Sequence, residues 1–183
     1  MTSPLGQARS PFDRRSRTVL KLTSVSVPDI PTVQALARKI WHDCYPGMIS
    51  REQIAYMLDK MYSTRVIERE LASGVFYGLA WRGSKAVGYL SYSFDQRRRE
   101  LTLHKVYLLK KQQGKGFGQQ LLEYVILKAQ QLKAKTISLR VNRNNLKAIT
   151  AYLDADFVVT GTSVADIGGG FVMDDYIMQC RLE

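Results

Sequence analysis

The stretch Gln113-Gly114-Lys115-Gly116-Phe117-Gly118 sits between a run that reads as a strand and a run that reads as a helix. Upstream, residues 101–109 are rich in β-branched and aromatic side chains. Downstream, Leu121, Leu122, Val125, Ile126, Ala129 and Leu132 recur at helical spacing. A glycine-rich turn that opens a helix aims backbone N–H groups and the positive end of the helix dipole outward, which suits a phosphate. Glycine permits the close approach and the positive φ that such a turn needs. Two phosphate loops are excluded by residue order. A Walker A loop has Lys-Ser or Lys-Thr after its last glycine, whereas Gln119-Gln120 follow Gly118. A dinucleotide fingerprint needs glycine at position 119. What remains is Gln-x-x-Gly-x-Gly, which taken alone is also an ordinary turn.

A second constellation lies downstream. Asn142 to Tyr152, followed by Asp156-Phe157, sets Asn145, Ala148, Ile149, Tyr152 and Phe157 in a fixed order. Together the two segments resemble the cofactor motifs of the GCN5-related N-acetyltransferase (GNAT) superfamily. Asp156 departs from the pattern, which has glycine there. Gly168-Gly169-Gly170-Phe171 through Met178 resembles a branch that includes bacterial spermidine/spermine acetyltransferase-like proteins. The resemblance covers residues 18–183, most of the chain.

The resemblance implies a single-domain α/β fold. Its sheet would be mixed and twisted, with about seven strands and about four helices in the order βααβββαβαββ. Acetyl-CoA is the implied cosubstrate, with no metal, and an amine attacks its thioester directly. Two adjacent parallel strands, 100–109 and 136–141, would splay apart. Val106, Tyr107 and Leu108 would then offer backbone to the pantetheine arm, with an N–H near Tyr107 or Leu108 facing the developing oxyanion. Gln113, Gly114, Lys115, Gly116, Phe117, Gly118 and Gln119 would take the pyrophosphate. Asn145 and Tyr152 stand two helical turns apart, about 10 Å on one face, a face that can follow an extended cofactor arm. Tyr152 matches the tyrosine that protonates the departing thiolate; it also fits an amphipathic core position.

The general base stays open. N-terminal-amine acetylating relatives carry a glutamate five residues before the motif asparagine, and here that residue is Arg140, which accepts no proton. His104 titrates near neutrality and is one candidate, although a strand histidine serves equally as a structural hydrogen-bonder. Glu100, Asp166, Asp174, Asp175 and a water chain are the others. Asp174-Asp175-Tyr176 reads either as an amine-binding cluster or as a turn into the last strand. Arg140, with its charge expected to face the interior, favours a structural or substrate-orienting cation. His42 reads as structural. Cys44 and Cys180 are too far apart to frame a disulfide or metal site and read as buried thiols.

At 183 residues, 45% of them hydrophobic, the chain fits one domain. Residues 1–16 mix Pro, Ser, Gly and Arg without periodicity and read as a disordered basic extension; residues 17–183 form the N-acetyltransferase domain. The net charge of +11 attracts polyanions. A phosphate-bearing cofactor accounts for part of it, and no aromatic-rich RNA motif argues for nucleic acid. No apolar stretch approaches the ~20 residues of a membrane span, and no apolar leader segment is seen, so a cytoplasmic location is expected. The expected partner is a small-molecule or peptide amine, and a homodimer is compatible. Two competing functions remain: a CoA-binding module that has lost catalysis, suggested by Arg140, and a ribosome- or RNA-associated basic protein.

These residues need elements to position them. A strand is expected over 18–27, then a helix from Pro28 to about Trp41. Ser50 with Gln53 marks a helix start, and Ile54, Met57, Leu58 and Met61 form its apolar face. A helical piece over 66–72 ends at Gly74. Strands follow over 75–82, 85–94 and 100–109, with Arg97-Arg98-Arg99 in a solvated turn. Then come a helix over 116–134, a strand over 136–141, a helix over 145–154, and strands over 157–162 and 172–182.

Overall fold

The computed structural model describes residues 18–183; the extension expected over 1–16 lies outside them. Seven strands form one sheet: β1 (Lys21–Ser24), β2 (Phe76–Arg82), β3 (Lys85–Asp95), β4 (Glu100–Leu108), β5 (Thr136–Asn142), β6 (Val158–Gly168) and β7 (Phe171–Arg181). Their spatial order is β1-β2-β3-β4-β5-β7-β6. Every neighbouring pair is antiparallel except β4 and β5, which are parallel. The helices are α1 (Ile30–Cys44), α2 (Arg51–Tyr62), α3 (Thr64–Ala72), α4 (Phe117–Gln131) and α5 (Leu146–Leu153).

The mixed α/β architecture is the one expected, with one helix more than the expected order. Ser63 is extended, at φ −60° and ψ 149°, so α2 and α3 are separate rods. The first strand is shorter than 18–27. Asp29 turns its carboxylate back onto the Ser26 N–H at 2.9 Å, which closes a 3-10 turn over Val27–Asp29 instead. Ser50 caps α2 as its sequence suggests, accepting from the Gln53 N–H at 3.0 Å. The β6–β7 hairpin is longer than expected. Its β6 half alternates between exposed and half-buried residues, so it lacks a strong apolar stripe. The hairpin closes through Gly168, Gly169 and Gly170, all at positive φ.

Side-chain alternation gives the sheet two faces. Leu90, Leu101, Leu103, Ile137, Leu139 and Met178 pack with Leu121, Leu122 and Val125 of α4. Tyr77, Leu79 and Tyr89 pack with α1–α3 on the other side.

One irregularity governs β4. Its register with β3 runs Ser91↔Lys105 and then Tyr92↔Leu103, which leaves His104 as the extra residue of a β-bulge. The bulge exchanges the two faces. Leu101 and Leu103 point to the α4 side before it. Lys105 and Tyr107 point to the α1 side after it, while Val106 and Leu108 return to α4. Lys105 is 4% exposed and bonds Glu70 at 2.9 Å, with its ammonium 5.6 Å from the Tyr62 ring and 4.9 Å from Tyr77. Among the described residues no helix is long and apolar enough to cross a membrane.

Gly88 on β3 faces Leu108 in register. A Cβ at this position would run into the Tyr107 carbonyl oxygen and come within 2.7 Å of Leu108 Cδ2. Gly88→Ala is therefore expected to destabilise the protein by about 1–3 kcal/mol, the usual range for overpacking. Urea denaturation of the two proteins measures it.

Candidate active site

Pairing between β4 and β5 extends only from Glu100↔Thr136 to Leu103↔Leu139. Beyond that point β5 stays paired with β7 as far as Asn142↔Asp175, and β4 stays paired with β3 as far as Leu108. The two central strands thus part just where the His104 bulge lies, leaving residues 104–108 without a β5 partner.

The glycine turn lies at the end of this gap. A 3-10 turn over Lys110–Gln112 leads into Gly114 at φ 73° and Gly116 at φ 79°. Gly116 is the left-handed N-cap of α4, so the helix's first-turn N–H groups follow it directly. Lys110, Lys111 and Lys115 are exposed around the turn. Gly118 lies in the first turn of α4, where a Cβ would meet only Leu108 Cδ1, at 4.0 Å. Gln119 is exposed beside it. Two members of this set have side chains committed elsewhere. Phe117 is buried in the core, with the Arg82 guanidinium 5.7 Å from its ring. Gln113 ties three elements together: its Nε2 donates to the Leu108 carbonyl at 3.1 Å and to Cys44 Sγ at 3.3 Å, and its Oε1 accepts from Lys147 Nζ at 2.8 Å. Cys44 is therefore half-buried at this junction rather than a core thiol, while Cys180 is buried as expected.

Asn145 is the N-cap of α5, and its Oδ1 accepts from the Ala148 N–H at 3.2 Å. Two turns on, Tyr152 is buried with its ring 5.8 Å from Phe157. Burial raises its phenol pKa well above the usual value, and the Tyr45 hydroxyl adds to the effect. Asp156 adopts φ 63°, so this chain makes with aspartate the left-handed turn for which glycine is usual.

Sequence reasoning missed Tyr45. It caps the C-terminus of α1, stacks on Trp41 at 4.6 Å, and shares a hydrogen bond of 3.2 Å with the Tyr107 hydroxyl. Tyr107 and Tyr152 also interact electrostatically. The hydroxyls of Tyr45 and Tyr107 meet beside the unpaired stretch of β4. The only sequence signal was the i,i+4 spacing of Trp41 and Tyr45.

The candidate bases separate. His104 Nε2 lies 2.8 Å from Ser93 Oγ, and its ring is exposed at one edge. Desolvation of the remainder, and then the neighbouring Lys105 ammonium, lower its pKa against the opposing pull of Glu70. Three carboxylates have structural partners. Glu100 accepts from Ser138 at 2.6 Å, Asp166 from the Gly168 N–H at 2.7 Å, and Asp174 from Arg143 at 3.2 Å. Asp175 differs: it is 3% exposed, and its Oδ1 has no hydrogen-bond partner among the described residues. Burial raises its pKa, Arg140 opposes that shift, and Asp174 reinforces it. Arg140 is exposed, which corrects the expectation that its charge faces the interior. Leu139 and Val141 take the α4 side, and the alternation turns Arg140 to the opposite face and into solvent.

Comparison with known proteins places this geometry. The model of the acetyltransferase (GNAT) family matches residues 35–157, and the chain belongs to that family. It is an N-acetyltransferase that depends on acetyl-CoA. An uncharacterized N-acetyltransferase in the pepI 3′ region of Lactobacillus delbrueckii subsp. lactis is 28% identical over 142 residues, covering 74% of this chain and 82% of that one. The PaiA N-acetyltransferase of Thermoplasma acidophilum, solved with coenzyme A, superposes with a TM-score of 0.72 at 21% identity, over 89% of this chain and 99% of that one. A chimera of the Vibrio cholerae spermidine N-acetyltransferase SpeG and hSSAT shares the fold, with a TM-score of 0.69 at 18% identity, over 91% and 96%.

The environment of Asp175 gives a stability prediction. Its carboxyl pKa is higher in the folded protein than in the unfolded chain. The native state therefore gains most from protonation below about pH 4, and that gain is lost as pH rises through the raised value. Asp175→Asn stays neutral throughout. It is expected to melt above wild type at pH 7, with the difference closing in acid; thermal melts across pH check this.

Proposed function

We propose that this protein transfers the acetyl group of acetyl-CoA to a primary amine by direct attack within a ternary complex. The observation that carries the reading is the gap between β4 and β5, with a left-handed glycine turn and a helix N-terminus at its end. The pantetheine arm lies along residues 106–108 as an added strand. The pyrophosphate meets the backbone N–H groups of Gly114, Lys115, Gly116, Phe117, Gly118 and Gln119 and the first turn of α4. Holding donor and acceptor in line removes much of the entropic barrier. We assign residues 17–183 to this domain.

Strand alternation selects the oxyanion donor. The Leu109 N–H bonds the Val87 carbonyl, on the β3 side. Backbone groups alternate along a strand, so Val106 and Leu108 direct theirs toward the gap and Tyr107 toward β3. The Leu108 N–H is therefore the donor for the tetrahedral intermediate. Tyr152, with its pKa raised by burial, holds its proton at neutral pH and can give it to the leaving thiolate. His104 is a positioning residue: its bulge sets the direction of the contact strand.

Thiol release measured across polyamines, amino acids, aminoglycosides and peptides tests the activity. Acetyl-CoA is expected to raise the melting temperature of wild type. Gly116→Ala and Gly116→Glu share the strain of a side chain at positive φ, so the difference between them isolates the added anion. Only the glutamate variant is expected to lose all acetyl-CoA stabilisation; equal loss in both would remove the pyrophosphate assignment.

Tyr152→Phe keeps the ring and deletes the hydroxyl. Turnover is expected to fall roughly 10- to 10³-fold, the general-acid range, with acetyl-CoA affinity nearly unchanged. Wild-type turnover in this variant, with chemistry rate-limiting, would return Tyr152 to a packing role.

A further inference from the structure

Asp175 is a buried carboxylate with one oxygen that has no hydrogen-bond partner among the described residues, and its surroundings define what could supply one. It lies on β7 opposite Asn142 of β5. Its neighbours Tyr176 and Met178 pack on the α4 side and Met173 packs on the α1 side, so alternation turns Asp175 to the α1 face with Met173. There the Tyr45 phenol feels its charge, and Tyr45 is hydrogen-bonded to Tyr107 of the contact strand. The register thus sets Asp175 beside the end of β5 that has parted from β4, on the face that also carries Tyr107, and on the reading above an acceptor meets the thioester at that end. Arg140 lies on the same face, paired with Ile177, two residues along β7 from Asp175. Such diagonal neighbours stand roughly 7–8 Å apart, within reach of a long side chain. Arg140 is exposed and is the cation that acts on Asp175.

We propose that Asp175 and Arg140 form the acceptor site, and that the acceptor is an amino acid-like zwitterion whose ammonium meets Asp175 and whose carboxylate meets Arg140. The inference rests on the acetyl-transfer reading above and adds the substrate class to it. The charge inventory excludes a polycation as the better fit. Asp174, the other carboxylate nearby, is engaged by Arg143. A polyamine would find one available carboxylate beside a guanidinium; a molecule with one charge of each sign finds a partner for both. The groups acting on Asp175 are Arg140 from β5, Asp174 from its own strand and Tyr45 from α1.

The reaction balances as follows. The acceptor ammonium gives one proton to the Asp175 carboxylate. The freed amine attacks the thioester carbon, forming the C–N bond and placing charge on the carbonyl oxygen. The C–S bond then breaks. The nitrogen sheds its second proton, and one proton reaches the thiolate by way of the Tyr152 phenol. The products are the N-acetyl amino acid, the CoA thiol and one proton that Asp175 passes to solvent.

The test measures thiol release from the full chain with the standard amino acids, their decarboxylated amines and spermidine. Wild type is expected to favour an amino acid over its decarboxylated amine and over spermidine by at least about 10-fold in kcat/KM, one lost ionic contact. Asp175→Asn is expected to lose roughly 10²- to 10⁴-fold in turnover and the acidic limb of the pH–rate profile. Arg140→Gln is expected to raise KM for the amino acid with kcat nearly unchanged, bringing it level with the decarboxylated amine. Preference for spermidine, or wild-type turnover in Asp175→Asn, would overturn the site while leaving acetyl transfer intact. Calorimetric titration of the best amino acid into the CoA-saturated protein gives a second readout independent of turnover. Equal affinity in wild type and Asp175→Asn overturns the proposal, and loss of binding in the variant supports it. Failure of acetyl-CoA to shift the melting temperature would instead count against the cofactor assignment.

Discussion

The structure depends on a shortage of hydrogen-bond partners in the middle of a sheet. Buried backbone groups are almost always paired, yet β4 and β5 stay in register for only the first part of their length. Each is held open by its other neighbour, β4 by β3 and β5 by β7. Neither can swing back to close the gap without breaking a longer antiparallel ladder. The sheet thus keeps a slot of strand edge in its interior, and an extended ligand with amide groups of its own is the natural complement.

The bulge at His104 connects this slot to the rest of the molecule. By exchanging the faces of β4, it places Tyr107 under α1 and leaves Val106 and Leu108 on the α4 side. A strand without the extra residue would place an aliphatic side chain at the head of the gap and a tyrosine in the α4 core. Part of the polar content of the α1 side follows from that exchange: the Lys105–Glu70 pair and the Tyr45–Tyr107 contact. Asp175 adds a carboxylate that burial penalises. Sites of this kind trade stability for chemistry.

The segments proposed to hold the cofactor stand out in the sequence because each is local. The Gln113–Gly118 turn and the Asn145–Tyr152 helix are each written in a few consecutive residues, and the flanking strands have clean apolar patterns. The proposed acceptor site was legible only in part: Asp175 and Arg140 stood out as residue types, but Tyr45 and the grouping depend on contacts across distance. Tyr45, Tyr107, Arg140 and Asp175 come from four elements, and only the register brings them together. Arg140 was expected inside because a strand pattern does not say which face is covered by helices. The helical piece expected over 66–72 is α3, which starts two residues earlier because Ser63 is extended and ends α2 just before it. The β6 half of the terminal hairpin escaped because an edge strand with little buried surface has a weak pattern.

Lys105 has a consequence of its own. An enzyme that acetylates amines carries primary amines on its own surface, and Lys105 belongs to β4, the strand proposed above to receive the donor. Its ammonium is held by Glu70 and walled by the rings of Tyr62 and Tyr77. The enclosure that lets a buried lysine stay in the fold also closes its amine off from reagents in solvent, an acetyl donor among them.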